Sequence, residues 1–378
     1  MQLRSWQKIA LAAVMAAGVL ATSRTARAYP QFQFSTGNTQ CSLCHFSPVG
    51  GGLINAYGRY EAEATISRGG NGDFLHGLWE PPKWLHLGGD YRGAFLYKKV
   101  GVEPHDALFP MQADTYVNIE AGDFSFSGIV GLRAAAREPR PELHERIISR
   151  EHYVMWRPKR TGPYVRAGRF FAPFGLRLPD HTAYILRYQG FNSLQETYGL
   201  SGGMVEKDWE AHVTGFGPAP FWRVGPKAWG GAGTYEHHIG KKAAVGAQAK
   251  VAASPEDTQY IAGGVGKVYI EPAKLLVLSE VDLGLQTFDA DNSPSRKQLA
   301  AYLGLTYFPI QGIMVGTAVE RYDEDLDIKD TERDSLNLTV QYFFRAHFEL
   351  MLMGKLEAQD QDYGDPTVLG LAMLHYYL

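Results

Sequence analysis

The sequence predicts an all-β chain, a closed antiparallel transmembrane barrel of about sixteen strands, preceded by a small α-helical segment. Three observations predict it. From Lys83 onward, segments of about ten residues recur with one alternate face apolar and the other polar. The connections between those segments alternate between short and long, as periplasmic turns and outer loops do. Tyrosine and phenylalanine number 21 and 19 of 378 residues, enough to furnish aromatic girdles at two membrane interfaces. A mean hydropathy of -0.22 excludes a bundle of membrane helices. Lys plus Arg is 37 against Asp plus Glu 40, which leaves no positive field for nucleic acid.

The first element is an export signal over residues 1–28. Arg4 and Lys8 precede an apolar stretch from Ile9 to Leu20, and Ala26-Arg27-Ala28 supplies a small-x-small cleavage site. Removing Arg4, Lys8, Arg24 and Arg27 takes the formal charge from -3 to about -7, so the exported chain is mildly acidic.

The second element, residues 29–82, holds both cysteines of the chain in Cys41-Ser42-Leu43-Cys44-His45. That spacing is the c-type haem attachment pattern, in which two thiols form thioethers and the adjacent imidazole ligates iron. A structural zinc site would want a second clustered pair of ligands, and a thioredoxin-type redox pair a βαβ context; neither is present in the sequence. After Gly50-Gly51-Gly52, the residues Leu53, Tyr57, Tyr60 and Ala64 fall at helical spacing and predict one apolar face able to pack a macrocycle. Gly69-Gly70-Asn71-Gly72 and Pro81-Pro82 end the segment. A segment this short is near the lower limit for its own core, so burial against a cofactor or inside something else must support it. No methionine lies between Met15 and Met111, which leaves His76 as the first candidate for the distal iron ligand and His86 as the second, with a more remote residue or an open position as alternatives.

The third element, residues 83–378, is the barrel. Leu336, Leu338, Val340, Tyr342 and Phe344 alternate with Ser335, Asn337, Thr339 and Gln341, and Val281, Leu283 and Leu285 alternate with Glu280, Asp282 and Gln286. One face suits lipid, the other a wet lumen. Short connections fall at Gly122, 158–162, 206–207, 240–242, Pro272, 309–310 and 345–346; long ones include 100–110, 172–197, 322–332 and 359–366. Short turns belong on the periplasmic side, which puts residues 29–82 there too or threads them into the lumen. Tyr307-Phe308, Tyr342-Phe343-Phe344 and Tyr376-Tyr377 would form the periplasmic girdle. A soluble β-sandwich also alternates, but it explains neither the loop pattern nor the continuity of the apolar face.

Taken together, Pro30 and Phe32 after the signal, Thr36-Gly37 before the haem motif, the single CxxCH, Tyr57-Gly58-Arg59 after it and a porin-sized remainder resemble the fused outer-membrane cytochrome–porins linked to bacterial iron oxidation. The chain departs from that pattern in lacking a basic residue near Phe32 and in ending on Leu378. The resemblance implies one covalent haem c carrying electrons across the outer membrane inside an insulating barrel. It further implies extracellular Fe(II) or another external redox partner as donor, a periplasmic c-type cytochrome or other soluble carrier as acceptor, outer-membrane lipid as surroundings, and with them an Fe(II):cytochrome c oxidoreductase. Tyr57 and Arg59 are then candidates for haem contact, Arg59 as a propionate partner or as an ordinary solvated arginine. Other readings are a diffusion porin with a haem-bearing plug or redox sensor, and electron export to an external acceptor. Carboxylates at Asp323, Glu324, Asp325, Asp327, Asp330, Glu332 and Asp334, and at Asp360, Asp362 and Asp365, would attract divalent cations or simply solvate their loops. The loop 172–197, with Arg177, Asp180, His181 and Arg187, folds inward as a constriction or covers the mouth as a lid.

Overall fold

The computed structural model describes residues 33, 40–132, 142, 146–192, 194–218, 227–289, 293–359 and 366–378. The export signal, Pro30, Phe32, Thr36-Gly37 and the loop of Asp360, Asp362 and Asp365 lie outside the described residues.

Sixteen strands pair in sequence order and close. They are β1 (Leu85–Val100), β2 (Glu103–Ala121), β3 (Phe124–Leu132), β4 (Ile147–Trp156), β5 (Gly162–Phe170), β6 (Thr197–Val205), β7 (Trp209–Gly217) and β8 (Trp229–Ile239). Then follow β9 (Ala243–Ala253), β10 (Asp257–Ile270), β11 (Leu275–Phe288), β12 (Arg296–Tyr307), β13 (Ile313–Asp323), β14 (Glu332–Arg345), β15 (Phe348–Gln359) and β16 (Thr367–Tyr377). Every neighbour is antiparallel, and β1 seals against β16 from Asp90↔Tyr377 to Lys99↔Val368. Closure removes the unpaired edges that hydrocarbon does not tolerate.

Alternation decides which face meets what. On β11, Val281 and Leu283 stand 51% and 59% exposed on the outer face, whereas Glu280 and Asp282 are buried in the lumen. Leu336, Leu338, Val340, Tyr342 and Phe344 on β14 also point outward, as the sequence predicts. The girdle aromatics divide: Tyr342 and Phe344 face out, while Phe308 and Phe343 turn inward and are buried. At the short-turn rim, Phe344 stacks on Phe348 at 5.5 Å, and Phe348 meets Tyr376 in a tilted pair at 4.9 Å.

The expected long loop 100–110 is instead strand. β1 and β2 pair out to Val100↔Glu103 around a two-residue turn, with Gly101 at φ 57°. Pro104 and Pro110 made this stretch read as loop, yet β2 meets β3 only from Asp114 on, and Pro110 sits beside the register shift at Arg92/Gly93. A proline is tolerated where its missing N–H faces no partner strand.

The lumen is filled. Residues 171–196, between β5 and β6, fold inward around a short helix α2 (Tyr184–Arg187), α1 being the plug helix Ala56–Glu61. The Leu176 N–H donates to Glu280 Oε2 at 2.5 Å and the Tyr184 N–H to Glu320 Oε2 at 2.6 Å, which pins the loop to the wall. Leu176, Tyr184, Ile185 and Leu186 of the loop pack with Ala62 and Ile66 of the amino-terminal segment and Leu276, Phe308 and Phe343 of the wall into the main apolar cluster. This core lies inside the barrel and joins loop, wall and plug.

Candidate functional site

Residues 40–66 form a small plug inside the barrel, and the CxxCH motif is its first turn. Cys41–Leu43 make a single 3-10 turn, His45 pairs with Ile54 in an isolated antiparallel bridge, and the Phe46 N–H donates to Leu53 O at 3.2 Å. Gly50, Gly51 and Gly52 turn the chain at φ 75°, 73° and 62°, a left-handed run that side chains resist. Asn55 locks motif to helix. Its Oδ1 accepts from the Gly58 N–H at 3.0 Å as the N-cap of α1, and its Nδ2 donates to Leu43 O at 2.9 Å. Gly58 lies so close to the motif that a Cβ there would collide with the Cys44 carbonyl oxygen. Gly58→Val is therefore expected to unseat α1 from the motif at a cost of about 1–3 kcal/mol. Limited proteolysis of the folded chain checks it: cleavage within residues 45–66 should be several-fold faster than in the parent.

The predicted helical face is corrected. α1 continues as a π-helical turn, Ala62–Ile66, and the buried side is Gly58, Glu61, Ala62 and Ile66. Leu53 remains buried against Tyr116 and Ile129, but Tyr60 is 61% exposed and Ala64 is exposed.

Cys41, Cys44 and His45 all line one cavity of about 1050 Å³ between the plug, the inward loop and the wall. Both cysteines are free thiols. They touch the cavity yet sit deep in the barrel, so desolvation pushes each up to about 12, with Glu210 adding to the effect on Cys41 and Glu61 on Cys44. Burial first, and then the Arg177 charge, push His45 down to about 4, and its Nδ1 is buried without a hydrogen-bond partner among the described residues. Two thiols, a neutral imidazole and a cavity at the upper end of ordinary ligand pockets fit a haem c: Cys41 and Cys44 would hold it by thioethers and His45 would ligate its iron.

The other predicted site residues lie elsewhere. Arg59, the candidate propionate partner, donates to the Leu87 carbonyl of β1 and places its guanidinium 5.4 Å from the Phe74 ring centroid; it is not among the residues that line the cavity of Cys41, Cys44 and His45. Tyr57 is half-buried and does not line the cavity. His76 sits on the rim, its ring 4.5 Å from His347 and 6.0 Å from both Phe348 and Tyr376, with Tyr376 OH at 3.3 Å. It does not share a cavity with His45. His86 pairs with Glu120 at 2.9 Å and its ring lies 4.6 Å from Phe46. Arg177 instead reaches the motif. Its Nη1 donates to Gly50 O at 2.8 Å, and Arg92, His181 and Met351 line the same cavity.

In the acidic outer loop, Arg296 pairs with Glu324, Lys297 with Asp327, and Arg321 with Glu332 and Asp334. Asp323 Oδ1 accepts from the Thr331 hydroxyl and the Asp325 N–H. No three of its carboxylates converge as a metal-holding group among the described residues.

No protein-family model and no curated protein matches the chain in sequence. Solved structures resemble it in fold. OmpT of Vibrio cholerae, in its outer-membrane expressed form, superposes with a TM-score of 0.61 at 12% identity, covering 79% of this chain and 99% of that one. OprB of Pseudomonas putida gives 0.59 at 8% identity over 78% and 94%, and an anion-selective porin from Comamonas acidovorans 0.57 at 9% over 78% and 99%. The chain is therefore similar to outer-membrane porins in its sixteen-stranded closed barrel with an apolar outer face.

Proposed function

We propose that this porin-like barrel carries electrons across the outer membrane through one haem c bound in the lumen, from extracellular Fe(II) to a periplasmic cytochrome. The observation that carries the reading is the convergence of Cys41, Cys44 and His45 on a single lumenal cavity. When bound, the haem supplies one-electron transfer between states that differ little in geometry. The chain's own residues do the rest. Cys41 and Cys44 prevent loss of the group into the periplasm, and His45 presents a neutral ring to it. Arg177, held on Gly50 O, places a fixed positive charge beside the motif, where it favours propionates and the electron-rich state. The inward loop and the ladder exclude water and insulate the path.

Fe(II) added to the purified full-length chain in detergent is expected to convert the oxidised haem absorption bands to the reduced ones. Absence of reduction at every pH where Fe(II) remains soluble would sink the iron reading. A second reading, a solute channel with a haem-bearing plug, is favoured by the likeness to porins. A large steady conductance of the intact chain in planar bilayers would support that reading instead.

A further inference from the structure

A second group of chemistry-bearing side chains lies on the inner wall near the short-turn rim. Glu210 of β7 and Glu236 of β8 stand directly opposite each other in the ladder, both more than nine-tenths buried. Like charges in that relation destabilise a strand pair, and buried carboxylates need compensation. Compensation is unequal. Glu236 Oε2 meets Lys267 Nζ at 2.7 Å, while its Oε1 accepts from the Gln33 amide at 3.3 Å and lies 3.4 Å from His238 Nε2. Glu210 Oε2 is buried without a hydrogen-bond partner among the described residues, and Oε1 is 4.0 Å from His212 Nε2, which is likewise buried and unbonded. The Tyr164 hydroxyl holds the other nitrogen of that ring, Nδ1, at 2.9 Å, the kind of outer contact that orients a metal-ligating imidazole.

The geometry points to a binding site for one divalent first-row transition-metal cation, of the zinc or ferrous class, formed by Glu210, Glu236 and His238 with His212 beside them. One ligand atom from each of Glu210, Glu236 and His238 lies within 4.8 Å of the others. With bonds of about 2.0–2.1 Å, neighbouring ligands of a tetrahedral ion stand about 3.3–3.4 Å apart. The 3.4 Å between Glu236 Oε1 and His238 Nε2 meets that value, and the 4.0 Å between His212 and Glu210 closes with a small side-chain rotation. Glu236 Oε1 keeps a second lone pair beside its bond from Gln33, and Oε2 stays on Lys267. Mixed carboxylate and imidazole donors suit zinc and ferrous ion, whereas calcium would require six or more oxygens. The site does not depend on the haem reading, because it uses neither the cysteines nor His45.

Zinc alone is the probe. The full-length chain, stripped with a chelator, is dialysed against micromolar Zn²⁺ and its zinc content measured. One zinc per chain is expected, with affinity reduced at least tenfold in Glu210→Gln and in His238→Gln, and several-fold in His212→Gln. Zinc-edge X-ray absorption of the parent should show only nitrogen and oxygen neighbours, with imidazole scattering. Retention of no zinc overturns the proposal. So does a sulfur neighbour at about 2.3 Å, which would place the ion on the cysteines, or an oxygen-only shell. If the variants do not fold, judged by loss of the barrel's heat-modifiable gel mobility, the parent's ligand shell decides alone.

Discussion

Replacing Cys41 and Cys44 together with alanine is expected to reduce covalent haem staining of the denatured chain to background while the barrel keeps its heat-modifiable mobility. Thioether attachment has no other thiol to use, since these are the only two cysteines in 378 residues. The barrel should survive because no ladder contact involves either residue: sixteen strands close through β1 and β16 without the plug. Each single replacement leaves one thioether site, and its staining should fall between the two. The plug itself loses only small side chains, though Cys41 packs on Gly50, where a Cβ would stand 3.1 Å from the Cys41 Cβ. Persistence of full staining in the double variant would refute attachment at this motif.

Deleting residues 40–82 is expected to raise single-channel conductance in planar bilayers several-fold over the intact chain. The plug shares the lumen with the inward loop, and it contributes Ala62 and Ile66 to the cluster that closes the interior. What remains is a wall lined by charged groups such as Asp90, Arg92, Asp114 and Arg150, which water and ions wet readily. The loop should stay in place without the plug, since its anchors on Glu280 and Glu320 belong to the wall. The intact chain should pass little current. Equal conductance of the two forms would show that the plug does not obstruct the lumen.

The strands are legible because lipid enforces a strict period of two on every membrane-spanning segment, and the expected number, about sixteen, is the number observed. β2 is the exception. It begins at Glu103, inside the stretch 100–110 that reads as a long connection, because above the hydrocarbon no apolar face is required and two prolines mimic a loop. The plug helix misled for the opposite reason. A segment packed against a wall with charged groups buries Gly58 and Glu61 as readily as tyrosine. The haem motif was visible because its three residues are adjacent in the chain. Arg177 was noticed only as part of a loop that turned either inward or outward, and its approach to Gly50 depends on tertiary folding. Glu210 and Glu236 could not be paired from sequence, since only the β7–β8 register sets them face to face.

The plug touches both sides of the line where the barrel shuts. Arg59 holds Leu87 of β1, while Gly69 O accepts from the Ala346 N–H at 2.8 Å, Asp73 O lies 3.1 Å from His347 Nε2, and His76 meets Tyr376 of β16. That line joins the most distant parts of the chain, so its formation carries the largest loop-closure entropy of any strand pair. The amino-terminal segment thus works as a clasp across that line: parting β1 from β16 breaks its contacts as well as the bonds of the ladder.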